Sequence, residues 1–103
     1  MYPGLSVSRS LGDILAHHIG VTSYPCTKVH NLTNNDRFFV IATDGIWNIL
    51  GHDDVIDIVN DYGMRDPGTS TEFICNKVKD ICASDNSVLD DMTILVSFIN
   101  TNL

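Results

Sequence analysis

Three aspartates carry the strongest chemical signal in this sequence. Asp44 closes the apolar run RFFVIATD (residues 37–44) and is followed at once by Gly45, where the chain can turn sharply. Asp90 and Asp91 stand directly before a second apolar run, 91–99. If these runs are antiparallel neighbours, the end of the first lies beside the start of the second, and Asp44 meets Asp90 or Asp91 at one rim. Two adjoining carboxylates repel each other unless a proton or a divalent cation sits between them. Oxygen donors without His or Cys partners favour Mg²⁺ or Mn²⁺ over zinc. Capping and turn formation are the default roles of Asp, and both remain open for each of the three residues.

The elements that would position these groups follow from periodicity. Residues 4–8 (GLSVS) and 27–33 (TKVHNLT) alternate and are expected as short strands. Residues 10–18 are expected to contain a helical turn, weakened by Gly12. In 37–44 Phe38, Val40 and Ala42 point one way, and Phe39, Ile41 and Thr43 the other. Residues 45–50 form a tight turn or short helix. Residues 52–62 read as an amphipathic helix with Val55, Ile56, Ile58, Val59 and Tyr62 inward. Gly51 stands at its N-cap, and Asp53 and Asp54 at the positive end of its dipole. Residues 63–69 are expected as a loop. A second helix runs from Ser70 or Thr71 to about Ala83, with Ile74, Val78, Ile81 and Cys82 inward. Met92, Ile94, Val96 and Phe98 form one face of the last strand. The order predicts an α+β fold with a largely antiparallel sheet. Two helices cover only one face of such a sheet, so the chain is expected to be part of a larger sandwich.

Composition sets the outer bounds. The 103 residues, 44% of them in the hydrophobic set, allow one small domain. Six Lys+Arg against 13 Asp+Glu, a formal charge of −7, give no footprint for nucleic acid. No apolar run approaches the roughly 18 residues of a membrane span, and the first residues lack the pattern of a signal peptide. Cys26, Cys75 and Cys82 show no CxxC spacing, which predicts free thiols in a reducing compartment. A cytoplasmic or nuclear location, not a secreted one, is expected. Trp47 is expected as a core anchor at the rim, with its indole N–H bonded. Arg9 and Asp13, four residues apart, can pair on a helical turn. The adjacent His17 and His18 point about 100° apart on a helix and cannot chelate together.

The blocks PGLSVSRSLGD (3–13), DRFFVIATDGIWNIL (36–50), VIDIV (55–59) and DMTILVSF (91–98, after Asp90) occur in an order that resembles the C-terminal part of metal-dependent type 2C protein Ser/Thr phosphatases, the PPM family. The resemblance spans nearly the whole chain. It implies that residues 1–103 are the C-terminal segment of the catalytic domain, half of a four-layer αββα sandwich, with the N-terminal half absent. It implies a binuclear Mg²⁺/Mn²⁺ centre that hydrolyses phosphoserine and phosphothreonine of protein substrates through a metal-activated water. The family's ligand in the DG pair falls on Asp44, and the one in the DN pair before the last strand falls on Asp90. The usual DN reads Asp90-Asp91 here, which makes Asp91 an alternative ligand, and the usual WD reads Trp47-Asn48. Arg9, Asp13, Gly45 and Trp47 are expected as structural residues near the site.

The family's Asp-Gly-His motif and phosphate-holding Arg are not in this sequence, so the segment alone is expected to be inactive. The partners expected are a phosphoprotein substrate and either the missing half of the domain or a second copy, with no nucleic acid or membrane. The alternative function is a non-catalytic truncated or pseudo-phosphatase module that acts in protein binding or assembly.

Overall fold

The structure is a computed structural model that describes residues 4–62 and 66–99. The chain divides into two compact units, Met1–Asn31 and Leu32–Leu103.

In the larger unit, β1 (Phe38–Ala42) pairs antiparallel with β2 (Ile94–Phe98), with Phe38 opposite Phe98 and Ala42 opposite Ile94. Among the described residues this sheet has two strands. The Phe38 and Phe98 rings meet at 5.4 Å across the ladder. The helices are α2 (Asp44–Trp47), α3 (His52–Tyr62) and α4 (Pro67–Asp85). The result is an α+β arrangement with a small antiparallel sheet, as periodicity predicts.

The core lies between the helices and one sheet face. Ile46, Val55, Val59, Ile74 and Val78 are fully buried, and Phe38, Val40, Ala42, Met92, Ile94, Val96 and Phe98 pack against them. The period-2 faces read from the sequence place these strand residues correctly. The opposite face carries Phe39, Ile41 and Leu95, all exposed. Leaving such large apolar groups in water forgoes roughly 25 cal/mol for each Å² that a covering layer would bury.

Several expectations are corrected. On α3, Val55, Ile58 and Val59 are buried, but Ile56 and Tyr62 are exposed. They lie at the margins of the apolar stripe, and Tyr62 stacks on Phe73 of α4 with ring centroids 5.1 Å apart. The Gly51 amide donates to Asp54 Oδ2 (3.2 Å), so the third residue of the helix satisfies its entrance. Helix α4 begins at Pro67, ahead of the expected Ser70. The Asp66 carboxylate accepts from the Gly68 amide (3.0 Å) and the Thr69 hydroxyl (2.7 Å), and Pro67 fits the first turn because its missing N–H needs no partner. The expected loop 63–69 is thus shortened, and its residues 63–65 lie outside the described part. Asn86, at φ 53°, closes α4. Cys82 is buried and Ile81 half-buried on the inner side of α4, and all three cysteines are free.

Neither residues 4–8 nor 27–33 form a strand; among the described residues of the smaller unit, an isolated bridge joins Arg9 to Thr22. Alternation alone does not hold a strand without a ladder partner. The expected turn within 10–18 narrows to α1 (Ile14–His17). Arg9 does not pair with Asp13: its Nη1 donates to Cys26 Sγ (2.7 Å), while Asp13 takes a left-handed conformation (φ 56°) before α1. Ala16 is buried, whereas Leu11, Ile14, Leu15 and Tyr24 are exposed.

Among the described residues, no helix is long and apolar enough to cross a membrane.

Candidate metal site at the sheet rim

The rim is built by Thr43 and Thr93. The Thr43 amide donates to the Thr93 carbonyl (3.0 Å), and the Thr93 amide donates to Thr43 Oγ1 (3.0 Å). The ladder therefore continues one residue beyond β1 before the chain turns. Thr43 is the N-cap of α2, and Asp44 is the first helical residue rather than the last strand residue. An acidic residue there meets the positive helix end favourably.

The short helix is locked by two neighbours. The Trp47 indole Nε1–H donates to the Ala42 carbonyl (2.9 Å), tying the end of α2 back to the end of β1. The Trp47 ring also meets His52 edge-on at 5.2 Å. Gly45 is buried directly against the main chain of Asp91. A methyl group at Gly45 would overlap the Asp91 carbonyl oxygen and lie 3.2 Å from Met92 Cγ. Here glycine is required by close approach of two backbones.

This approach brings the two acidic segments together. Asp44, Gly45, Asn48 and Asp90 line one cavity of about 360 Å³, with Ile49, Cys82, Val88 and Leu89 as its apolar wall. Asp91 does not line it. Asp90 Oδ1 accepts from the Asp91 amide (2.8 Å), which orients that carboxylate. Asp44 and Asp90 are both exposed to solvent.

The donor set consists of two carboxylates and one carboxamide. Such oxygen donors suit a hard divalent cation that keeps several waters. Among the described residues, no group of three or more His, Cys, Asp or Glu side chains converges to hold a metal by itself. Asp44, Asn48 and Asp90 carry side chains of the chemical type that would suit a hard divalent cation.

Of the residues singled out in the sequence, the structure groups Asp44, Gly45 and Asp90 around this cavity. Trp47 braces α2 from the strand side. Arg9 and Asp13 belong to the smaller unit. Sequence reasoning missed Asn48 as a cavity residue. It stands four positions after Asp44 and donates its amide to the Asp44 carbonyl (2.9 Å), the spacing that puts two side chains on one helical face. That spacing was the available signal once 44–47 was recognised as helix.

Comparison with known proteins agrees with the motifs. The family model for protein phosphatase 2C matches residues 3–90. The chain is 29% identical over 102 residues to "Probable protein phosphatase 2C 38" of Oryza sativa subsp. japonica, covering 97% of this chain and 22% of that relative. It is 34% identical over 96 residues to "Probable protein phosphatase 2C 35" of Arabidopsis thaliana, covering 93% of this chain and 27% of the relative. Over a shorter stretch of 57 residues it is 44% identical to "Probable protein phosphatase 2C 33" of Arabidopsis thaliana, covering 55% of this chain and 12% of the relative. The chain thus spans about a quarter or less of these curated relatives. No solved structure matches it. With the family model covering most of its length, the chain belongs to the protein phosphatase 2C family.

Proposed function

We propose that this chain is the C-terminal segment of a metal-dependent protein Ser/Thr phosphatase domain, and that Asp44 and Asp90 hold a Mg²⁺ or Mn²⁺ ion between them. The observation that carries this reading is the shared cavity: Asp44 and Asp90 line it together, and Asp91 lies outside it. When bound, such an ion supplies Lewis-acid charge and an activated water for attack on phosphorus.

The chain's own residues have separate tasks in this reading. Asp44 and Asp90 bind the cation, whose charge offsets their mutual repulsion. Gly45 permits the backbone contact that sets their spacing. Trp47 holds α2 in orientation through the Ala42 carbonyl. Asn48 gives the cavity a neutral wall that can both donate and accept hydrogen bonds.

The further ligands come from the rest of the catalytic domain, so the 103-residue chain alone is inactive. A second sheet covers Phe39, Ile41 and Leu95 in the complete four-layer sandwich. The substrate is a protein carrying phosphoserine or phosphothreonine, and the location is intracellular. The competing reading is a non-catalytic binding module, favoured by the lack of a third converging carboxylate among the described residues.

Calorimetric titration of Mn²⁺ into the chain tests the proposal. Weak binding abolished by Asp44→Asn supports it, and no heat at millimolar Mn²⁺ overturns it. Release of phosphate from a phosphothreonine peptide by the chain alone with Mn²⁺ would refute the claim of inactivity.

A further inference from the structure

The cavity that Asp44 and Asp90 share is also lined by Asn48. The local backbone does not require asparagine there. Asn48 has right-handed helical geometry (φ −73°, ψ −17°), so no left-handed turn calls for it. It is the C-cap of α2, and the bonds that close the helix come from its main-chain N–H, which donates to the Asp44 and Ile46 carbonyls. The carboxamide takes no part in that cap. It is exposed, one helical turn after Asp44, and lines the same cavity as that carboxylate.

Donor chemistry separates Asn48 from its neighbours. Asp44 and Asp90, when ionised, only accept hydrogen bonds. Ile49, Val88 and Leu89 have no polar side-chain atom, and among the described residues no Lys, Arg or His lines the cavity. Within that lining, Asn48 alone carries a side-chain N–H donor.

Charge gives this donor a purpose. A divalent cation balances two carboxylates and leaves no surplus positive charge. A phosphomonoester carries close to two negative charges near neutral pH. A third carboxylate at position 48 would repel it. A carboxamide instead offers two N–H groups, and hydrogen bonds to an ionised acceptor are roughly twice as strong as those between neutral groups.

We infer that Asn48 binds the phosphoryl group of the substrate, donating its side-chain amide to a phosphoryl oxygen. The inference rests on the proposed metal site at Asp44 and Asp90 and adds a second task beside it: the acids hold the cation, and the neutral residue admits the anion. Asp44 and Asn48 belong to the same short helical turn, which the Trp47 indole ties to the Ala42 carbonyl. The donor is thus carried on a braced element rather than a loose loop, the condition under which a preorganised hydrogen bond is most effective.

The test uses the full chain, isotopically labelled, with Mg²⁺ as the cation and methyl phosphate as a small phosphomonoester. Amide signals of main chain and side chains are followed by nuclear magnetic resonance. Methyl phosphate should move the Asn48 carboxamide protons when Mg²⁺ is present and leave them in place without it, while the Asn35 and Asn86 carboxamides stay unmoved. Asn48→Ala should weaken methyl phosphate binding by about tenfold, the worth of a hydrogen bond to a charged group, with Mg²⁺ affinity unchanged. Asn48→Asp should weaken methyl phosphate further and tighten Mg²⁺, because it adds a negative charge. A merely structural role would lower both affinities together, and that result overturns the inference. A Mg²⁺ response at Asp44 and Asp90 with no movement of the Asn48 carboxamide at millimolar methyl phosphate overturns it too, and leaves the metal site standing. No Mg²⁺ response at Asp44 and Asp90 overturns both. The carboxamide shift is read on the unaltered chain, so the result does not hinge on a variant that fails to fold.

Discussion

Gly45 packs so tightly on the main-chain carbonyl of Asp91 that no side chain fits between them. This contact joins the first turn of α2 to the segment before β2. It is the step from two separate acidic motifs to one cavity bearing both Asp44 and Asp90. Gly45→Ala should therefore destabilise the larger unit by about 1–3 kcal/mol, the usual cost of overpacking. The strand-end contacts must shift to relieve the overlap, so Mn²⁺ affinity should fall as well. Urea denaturation and metal titration of the same variant check both effects.

Trp47 acts from the other side of α2. Its indole N–H is bonded to the Ala42 carbonyl at 2.9 Å in a partly buried setting. Trp47→Phe keeps most of the apolar contact but removes the donor. The expected loss is about 0.5–1.5 kcal/mol, the net value of a typical hydrogen bond. A shift of the denaturation midpoint without a change in slope would show that stability alone has changed.

The core between α4 and the sheet gives a larger effect. Ile74 is fully buried among Val55, Val59 and Val78 in one cluster. Ile74→Ala should cost about 2–5 kcal/mol through lost transfer energy and an unfilled cavity. In a unit with this small a core, that loss should be visible as a lowered thermal midpoint.

The positions read from sequence were those fixed by strong local or pairwise rules. The even residues of β1 and β2 were legible because a period of 2 assigns faces without ambiguity. The shared cavity of Asp44 and Asp90 was legible because antiparallel pairing brings a strand's end to its neighbour's start. The start of α4 was not, because Asp66-Pro67-Gly68 reads equally as a turn; the Asp66 cap settles it as a helix entrance. Residues 4–8 and 27–33 alternate as strands do, but a strand exists only with a ladder partner, and alternation does not supply one. Asn48 was missed as a cavity residue because its relation to Asp44 appears only once α2 is known to start at residue 44.

Asp66 makes the entrance of α4 sensitive to acid. The Thr69 hydroxyl, the leading cause, and the Thr69 and Gly68 amides bond its ionised form and hold its pKa below the ordinary aspartate value. A carboxyl whose pKa is lower in the folded state binds protons less readily there than in the unfolded chain. Its contribution is complete above the unfolded value, near 3.9, and is lost as pH falls through the lowered folded value. Asp66→Asn should retain a side-chain acceptor and remove this part of the pH dependence. Carboxyl carbon shifts of Asp66, followed alongside helical ellipticity below pH 5, give the direct comparison.

The central claim concerns where a divalent cation binds. Amide spectra of the isotopically labelled chain, recorded while Mn²⁺ is added, locate it through paramagnetic broadening. The account predicts that signals of Asp44, Gly45, Asn48 and Asp90 broaden first. Those of Asp53, Asp57 and Asp66 should persist, and the pattern should vanish in Asp44→Asn and Asp90→Asn while surviving in Asp91→Asn. Broadening that begins along α3, or that is unchanged in the Asp44 and Asp90 variants, would contradict it.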